Sequence, residues 1–441
     1  MIKDLQKIPT GWKKIKLGEV FKSNMPGAWG NEPRLEEDAY PVISTLAIDY
    51  EGNIDFSNYT LRSIDNQKIE KLLLKKYDIL LEKSGGSSDT PAGKVALVKN
   101  DFRGTCSNFI QILKVKEVNN PVFVFYRLFY DFKNKKTEKY QQKTTGIVNF
   151  KVNDYFNETF SLPPLPEQEK IAEILETVDN TIEKTDAIIE KYKRTKQGLM
   201  QELLTKGIDI NWHIRSEKTH QFKDSPLGRI PADWEVKKLG EIGKSFAGGT
   251  PSSGISEYYN GDIKWLKSGE INSKYIYNTE ETLTSSGLRN SNAKWIEGNT
   301  VVIAMYGATA GQVGIVKTKM TANQAVLALS INEKERVYFE YLYYSLLVSV
   351  NLLLSNLQGS GQPNLNKGNI DNLIIALPPL PEQERIASVL SQVDTVIEKE
   401  TAYRDKLSRI KQGLMEDLLT GKVRVTTLLE NKNNQYQKEV L

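Results

Sequence analysis

The octapeptide LPPLPEQE occurs twice, from Leu162 and again from Leu377, and each copy opens a segment of helical periodicity. The 215-residue offset continues past the motif: 16 of the 23 positions from Leu162 to Lys184 repeat identically, as do 8 of the 10 from Lys196 to Thr205. Such a chain is a tandem duplication of one unit, a globular region followed by a long helix. Two copies of one unit imply one activity exercised at two places. Both units also begin alike, IPTGWKKIKLGEV from Ile8 and IPADWEVKKLGEI from Ile230, which sets Trp12 opposite Trp234 at an offset of 222. The first globular region is longer by the difference between the two offsets.

Each helix start carries proline near its first position, where a missing N–H is harmless, and acidic residues at the positive end of the dipole. Apolar residues then recur at steps of four and three: Ile171, Leu175, Val178, Ile182, Ile189, Tyr192, Leu199 and Leu203, with Thr185 and Lys196 in the remaining places. This is a coiled-coil seam of more than four heptads, ended by Gly207 at the C′ position. The second seam runs through Ile386, Leu390, Val393, Ile397, Leu407, Leu414 and Leu418. Glu400 and Arg404 interrupt it, and a shift toward Tyr403 and Ile410 is expected there. An unpaired apolar stripe of this length needs a partner, and the other copy is the nearest candidate, running antiparallel. At 1.5 Å per residue each helix is roughly 60 Å long.

The globular regions read as mixed strands and loops rich in Gly, Ser and Asn. KYDILLEKSGG from Lys76 stands opposite GNTVVIAMYGA from Gly298, and the aromatic run VFVFYRLFY from Val122 opposite VYFEYLYYS from Val337. Core packing is the expected role of those aromatics. Val20 to Lys71 and Ile242 to Asn290 share little sequence, so each unit combines a shared scaffold with a private portion.

Composition narrows the chemistry. A chain of 441 residues requires two or more domains. A net charge of +4 permits an anionic partner without requiring one. One cysteine, Cys106, excludes an internal disulfide and fits a reducing cytoplasm. With only two histidines, His213 and His220, a Cys/His zinc site is excluded and a histidine-based triad disfavoured. MIKDLQKIPT has no apolar stretch, so no signal peptide is expected. Tyr341 to Leu354 is apolar but broken by Ser345, Ser349 and Asn351, which reads as a buried helix and not a membrane span.

GGSSDTPAGKV (Gly85 to Val95) lacks the spacing of a phosphate loop, and FAGGT (Phe246 to Thr250) lacks the further glycine of a methyltransferase cofactor loop. No NPPY-type tetrapeptide occurs. Asp78 and Glu82 have no counterpart cluster in the second unit, which argues against a carboxylate nuclease. Nucleic-acid binding gains instead: Lys133, Lys135, Lys136, Lys139 and Lys143 precede the turn TTGIVNF, and GSGQPNL from Gly359 holds the matching place in the second unit. Loops of Gly, Ser, Thr, Gln and Asn offer donors to phosphates and base edges.

The paired LPPLPEQE-x-IA-x-x-L helix starts, the twin KQGLM-x-x-LLT helix ends and the W…LGE openings together resemble the specificity subunit of a type I restriction-modification system. GGTPS (Gly248 to Ser252) and GDIKWL (Gly261 to Leu266) also match a common target-recognition domain type. The first unit has VFKSNMPGAWG in that place, so a different half-target is expected. The resemblance implies an α+β fold: two mixed α/β target-recognition domains separated by two long helices that form an antiparallel coiled coil, with pseudo-twofold duplication. The implied division is a first domain over 1–161, a spacer helix over 162–207, a linker over 208–229, a second domain over 230–376, a second helix over 377–421 and a polar tail over 422–441.

It further implies a non-catalytic, cytoplasmic subunit whose domains each read half of a split double-stranded DNA target. The helices would set the gap, with an upper bound on the order of 18 base pairs at 3.4 Å each. Implied partners are two methylation subunits and restriction subunits, and no membrane. This chain would hold no cofactor or metal; S-adenosylmethionine, ATP and Mg belong to the partners. The DNA contacts expected are Ser84, Gly85, Gly86, Lys143, Thr144 and Thr145 in the first domain and Tyr306, Gly307, Thr309, Ser360 and Gln362 in the second. Partner contacts are expected at Pro166, Glu167 and Gln168 and at Pro381, Glu382 and Gln383. The alternatives are a recognition subunit of a type IIB-like enzyme and a coiled-coil scaffold that binds no DNA.

Overall fold

A computed structural model describes residues 8–33, 39–86, 91–144, 147–357 and 364–430. They form two compact units, Met1–Asp186 with Ala402–Leu441, and Ala187–Thr401. Each unit therefore takes its globular region together with part of both long helices.

Unit 1 begins with strands β1 (Lys13–Lys16), β2 (Phe21–Pro26), β3 (Ala39–Ile43) and β4 (Tyr59–Ser63), then helix α1 (Asn66–Leu72). Strands β5 (Ile79–Glu82), β6 (Ser84–Gly86), β7 (Val95–Leu97), β8 (Thr105–Cys106) and β9 (Ile110–Val115) follow. Helix α2 (Pro121–Lys133) leads to β10 (Gln141–Thr144), β11 (Ile147–Phe150), short helix α3 (Val152–Phe156), β12 (Thr159–Leu162) and long helix α4 (Leu165–Leu203). The main sheet, ordered β2-β9-β5-β7, is buried on both faces. Alternation along β5 sends Ile79 and Leu81 into the core under α2 and Leu80 into a second core with Ile43 and Cys106. Full burial of such a side chain stabilises by roughly 1.5–3 kcal/mol. The second core lies against the small sheet β4-β3-β8, whose β3 and β8 run parallel.

Unit 2 repeats this plan after a hairpin of its own, β13 (Phe222–Ser225) and β14 (Gly228–Pro231). Next come β15 (Glu235–Lys238), α5 (Leu239–Ile242), β16 (Gly243–Ala247), β17 (Tyr259–Leu266), β18 (Tyr275–Ile276), β19 (Glu281–Leu283) and α6 (Ser285–Arg289). Strands β20 (Thr300–Ala304), β21 (Val313–Val316), β22 (Thr321–Ala322) and β23 (Val326–Ile331) precede α7 (Phe339–Leu357). Short α8 (Lys367–Asp371), β24 (Ile374–Leu377) and α9 (Leu380–Thr420) follow. The order β16-β23-β20-β21 reproduces β2-β9-β5-β7, with β18 added at one edge, and β19-β17-β22 reproduces β4-β3-β8. β15 pairs with β24 as β1 does with β12.

The repeat extends into the portions that share little sequence. The parallel pair Ile43–Cys106 corresponds to Leu266–Ala322, and a 3-10 turn follows in each, Thr45–Ala47 and Ser268–Glu270. Backbone pairing and burial need only alternating apolar residues, so frame survives where identity does not. The private portion thus keeps the common sheet frame and differs in its side chains and in the added strand β18.

Two expectations are corrected. The aromatic helices do not match Val122 with Val337. Gln168 Oε1 accepts from the Asn120 N–H, and Gln383 Oε1 accepts from the Tyr338 N–H, both at 2.9 Å, which pairs Val122 with Glu340 and Tyr126 with Tyr344. Asn120 caps α2 by accepting from the Phe123 N–H, with Pro121 just inside, so the cap and not the valine fixes the start. The second helical seam does not shift either: Tyr403 and Ile410 stay exposed while Leu407 is buried. Arg404 keeps its place facing inward by reaching Asp186 at 3.8 Å.

Within unit 1 the start of α4 meets the end of α9, through Ile171, Ala172 and Leu175 against Met415, Leu418 and Leu419. Within unit 2 the end of α4 (Leu199, Met200, Leu203) meets the start of α9 (Ile386, Ala387, Leu390). The two helices pack antiparallel in both units.

Candidate nucleic-acid interface

Of the unit 1 residues expected to touch DNA, Ser84, Gly85, Gly86 and Lys143 lie on one sheet. Strands β10, β11 and β6 form one three-stranded sheet, in which Lys143, Val148 and Gly86 stand in a single cross-strand row. Ser84 lies opposite Asn149 and donates to its Oδ1 at 2.6 Å, so Ser84 is buried and fixes the strand instead of facing solvent. Gly85 has φ +133°, and a side chain there would crowd Thr45 and Glu82. Beneath it, Lys94 Nζ donates to the carbonyls of Thr45 and Ile48 at 2.7 and 2.8 Å and lies 3.7 Å from Glu82. Burial raises the Glu82 carboxyl above its ordinary range, against the pull of Lys94. Thr145 lies outside the described residues, as do Ser360 and Gln362; of Thr144 only the backbone is described.

The lysine cluster is less available than its sequence implies. Lys133 pairs with Glu51 at 2.7 Å, Lys136 with Asp131 at 3.4 Å, Lys135 with Glu138 at 3.9 Å, and Lys139 with Glu158. Hydrogen bonds to Glu158 and Tyr140 push the Lys139 ammonium up to about 12, and Lys139 and Tyr140 hold Glu158 below the usual carboxylate range. Among the described residues, Lys143 alone of the five has no carboxylate within 4 Å and is exposed.

In unit 2 the expected residues Tyr306, Gly307 and Thr309 form one turn after β20, with Gly307 at φ +86°. Tyr306 Oη donates to the Gln324 carbonyl at 2.7 Å, and Thr250 Oγ1 donates to the Gln324 side chain. Thr250, Gln324 and Tyr306 are all exposed, so they present one polar surface. Gln324 was not singled out from the sequence; its only signal is its place after β22.

Both units build that surface on the same backbone device. Gly27 N–H donates to the Ile110 carbonyl and Ala28 N–H to Cys106; Gly248 N–H donates to Val326 and Gly249 N–H to Ala322. A methyl group on Gly27 or Gly248 would overlap the carbonyl oxygen of Cys106 or Ala322 respectively. VFKSNMPGAWG, the apparent departure in the first unit, therefore occupies the same position as FAGGT. On this common support unit 1 carries half-buried Trp29, exposed Asn108 and inward-turned Ser84 where unit 2 carries the exposed Thr250, Gln324 and Tyr306.

These matched surfaces agree with what the chain is similar to. The family described as type I restriction modification DNA specificity domain matches residues 9–194 and 231–409. The chain belongs to this specificity family. The MjaVIII specificity subunit of Methanocaldococcus jannaschii is 29% identical over 441 residues, covering 96% of this chain and 95% of the relative. The putative MjaX specificity subunit of the same organism is 28% identical over 432 residues, covering 96% of each. In fold, the chain is similar to a type I S subunit from M. genitalium, with a TM-score of 0.58 at 15% identity over 92% of this chain and 96% of that one. A chain from a type I R-M system structure gives 0.53 at 20% identity, covering 95% and 100%.

The specificity-domain helix starts behave differently from expectation. Glu167, Gln168, Glu382 and Gln383 are buried and act inside their own units. Glu167 accepts from Trp12 Nε1 at 3.0 Å and pairs with Arg424 at 2.6 Å. Glu382 accepts from Trp234 Nε1 at 3.1 Å and from the Ile208 N–H at 2.9 Å, and pairs with Arg215 at 2.8 Å. Burial raises the Glu382 carboxyl above its ordinary range, opposed by these partners. Presenting no surface, the four side chains join helix to domain and do not fit the role of partner contacts; Pro166 and Pro381 remain exposed. Among the described residues no group of three or more His, Cys, Asp and Glu is placed to hold a metal, and no helix is long and apolar enough to cross a membrane.

Proposed function

We propose that this chain is the DNA-reading subunit of a type I restriction-modification complex, each unit recognising one half of a split target. The observation that carries this reading is the glycine-supported turn found in both units at one backbone position, with Asn108 exposed on it in unit 1 and Thr250, Gln324 and Tyr306 in unit 2. A common platform with exchangeable tips is what reading two different half-sites requires. Phosphate contacts such as Lys143 would supply affinity, and Asn108, Thr250, Gln324 and Tyr306 would discriminate bases, about 1–3 kcal/mol for each good bidentate contact. The subunit has no catalytic role in this reading. Two methylation subunits would dock on it with S-adenosylmethionine and restriction subunits with ATP and Mg, in the cytoplasm, while α4 and α9 set the gap between half-sites.

The test is an exchange of residues 231–376 for the matching domain of a relative, read by methylation-sensitive sequencing of host DNA. One half of the methylated sequence should change and the other persist. Seven residues inserted into both helices should alter the gap and neither half. An unchanged methylation pattern after the exchange overturns the reading, as does an assembled complex that retards no duplex.

A further inference from the structure

An ammonium group fills a pocket in unit 2 that unit 1 leaves open. Lys274 is buried, and its Nζ donates to Tyr344 Oη and Ser391 Oγ at 2.9 Å each. It lies 3.5 Å from Glu340 and 3.9 Å from Asp394, over the rings of Tyr275 and Tyr344 at 4.8 Å. Asp394 also accepts from Tyr344 Oη at 2.5 Å and pairs with Lys196 of α4 at 2.6 Å. Burial lowers the Lys274 ammonium from its ordinary range, and Glu340 and Asp394 oppose that shift.

Unit 1 repeats the frame without the plug. Tyr126 Oη donates to Asp179 at 2.7 Å, and Lys411 of α9 pairs with Asp179 at 2.6 Å, matching Tyr344, Asp394 and Lys196. Four positions differ. Counting from the buried pair Ile48 and Ile271, Glu51 and Gly52 stand in place of Lys274 and Tyr275, while Val122 stands in place of Glu340 and Glu176 in place of Ser391. Glu51 turns away to Lys133 at 2.7 Å. What remains is a solvent-open cavity of about 710 Å³ whose lining includes Gly52, Tyr126, Glu176 and Asp179. The cations lining it already have partners within that lining: Lys99 has Glu183, Lys133 has Glu51, Arg404 has Asp186, Lys411 has Asp179, and Lys76 lies over the ring of Tyr77. Among the described residues Glu176 has no ion pair within 4 Å.

We infer that the unit 1 cavity is a socket for a primary alkylammonium group supplied from outside the chain, with Glu176, Asp179 and Tyr126 as its ligands. Unit 2 shows the ligand chemistry with its own lysine. In unit 1 the Glu176 carboxylate stands where unit 2 has the Ser391 hydroxyl, and supplies the second negative charge that Glu340 gives in unit 2 and Val122 does not. The volume exceeds one lysine side chain, so the ammonium can arrive on a polypeptide or as a free polyamine.

The probe is cadaverine, titrated calorimetrically into the full chain without DNA, so that the outcome is independent of target recognition. One equivalent should bind. Glu176→Gln should weaken binding tenfold or more, and Glu51→Lys, which sets an ammonium at the place of Lys274, should abolish it. Both variants should keep the parent's unfolding midpoint, since Glu51 and Glu176 are exposed. No binding by the parent, or binding unchanged in both variants, overturns the inference. Binding with loss of partner assembly under saturating cadaverine assigns the ammonium to a partner's lysine; binding with assembly unchanged assigns it to a free polyamine.

Discussion

Trp234 and Glu382 stand 148 residues apart in the chain, yet the indole Nε1 donates to the carboxylate at 3.1 Å in the interior of unit 2. Trp12 and Glu167 make the same bond at 3.0 Å in unit 1. Each pair ties the residue just before β1 or β15 to the first turn of α4 or α9. An arginine further along the chain, Arg215 or Arg424, closes the group.

Removing the carboxylate is therefore expected to be severe. Glu382→Ala leaves Arg215, the Ile208 N–H and the Trp234 N–H without their acceptor, a loss of about 3 kcal/mol for a broken buried pair. Urea unfolding followed by Trp fluorescence reads this directly. A loss below about 1 kcal/mol would show that the latch is not a principal tie.

The turn glycines should resist even a methyl group. Gly248→Ala forces a backbone shift at Ala322, and Gly27→Ala does so at Cys106, with an expected loss of about 1–3 kcal/mol each. On the proposed reading, in which each turn supports one recognition surface, each substitution should weaken methylation through one half-site only. Methylation of targets altered in either half distinguishes the two.

Salt dependence separates the lysines. Lys143→Ala should reduce the slope of log Kobs against log salt by about 0.9 for the assembled complex on its target. Lys139→Ala should leave the slope unchanged, because that ammonium is held by Glu158. Equal effects would contradict the ion pairing described.

The Cys106 thiol is pushed up to about 12 by burial, so the folded chain retains its proton more tightly than the unfolded chain does. Its contribution to stability is complete below the ordinary thiol value and is lost as pH rises toward 12. At pH 8 the folded thiolate fraction is on the order of one in ten thousand. Iodoacetamide at that pH should modify Cys106 only after denaturant is added, as mass spectrometry would show.

The duplication and the helix limits were visible in the amino-acid order. LPPLPEQE marked both helix starts, and the four-and-three spacing marked a seam, because local periodicity and capping are written in neighbouring residues. Gly85, Gly86 and Lys143 were singled out by composition, and the sheet β6-β11-β10 does join them. Their neighbour Ser84 turned inward because strand alternation against Asn149 set its direction, a long-range pairing that no local pattern encodes.

What the sequence by itself determined is the repeated unit, its α+β character and its two long helices, since these follow from short-range spacing. Only the tertiary structure decided that Glu167 and Glu382 face inward, that Lys133, Lys135, Lys136 and Lys139 are paired with carboxylates, and that unlike segments share one glycine-supported turn. Those outcomes depend on which distant carboxylate, carbonyl or ring arrives within a few ångströms. Burial then fixes whether a charged side chain becomes an internal tie or stays on the surface to meet a ligand.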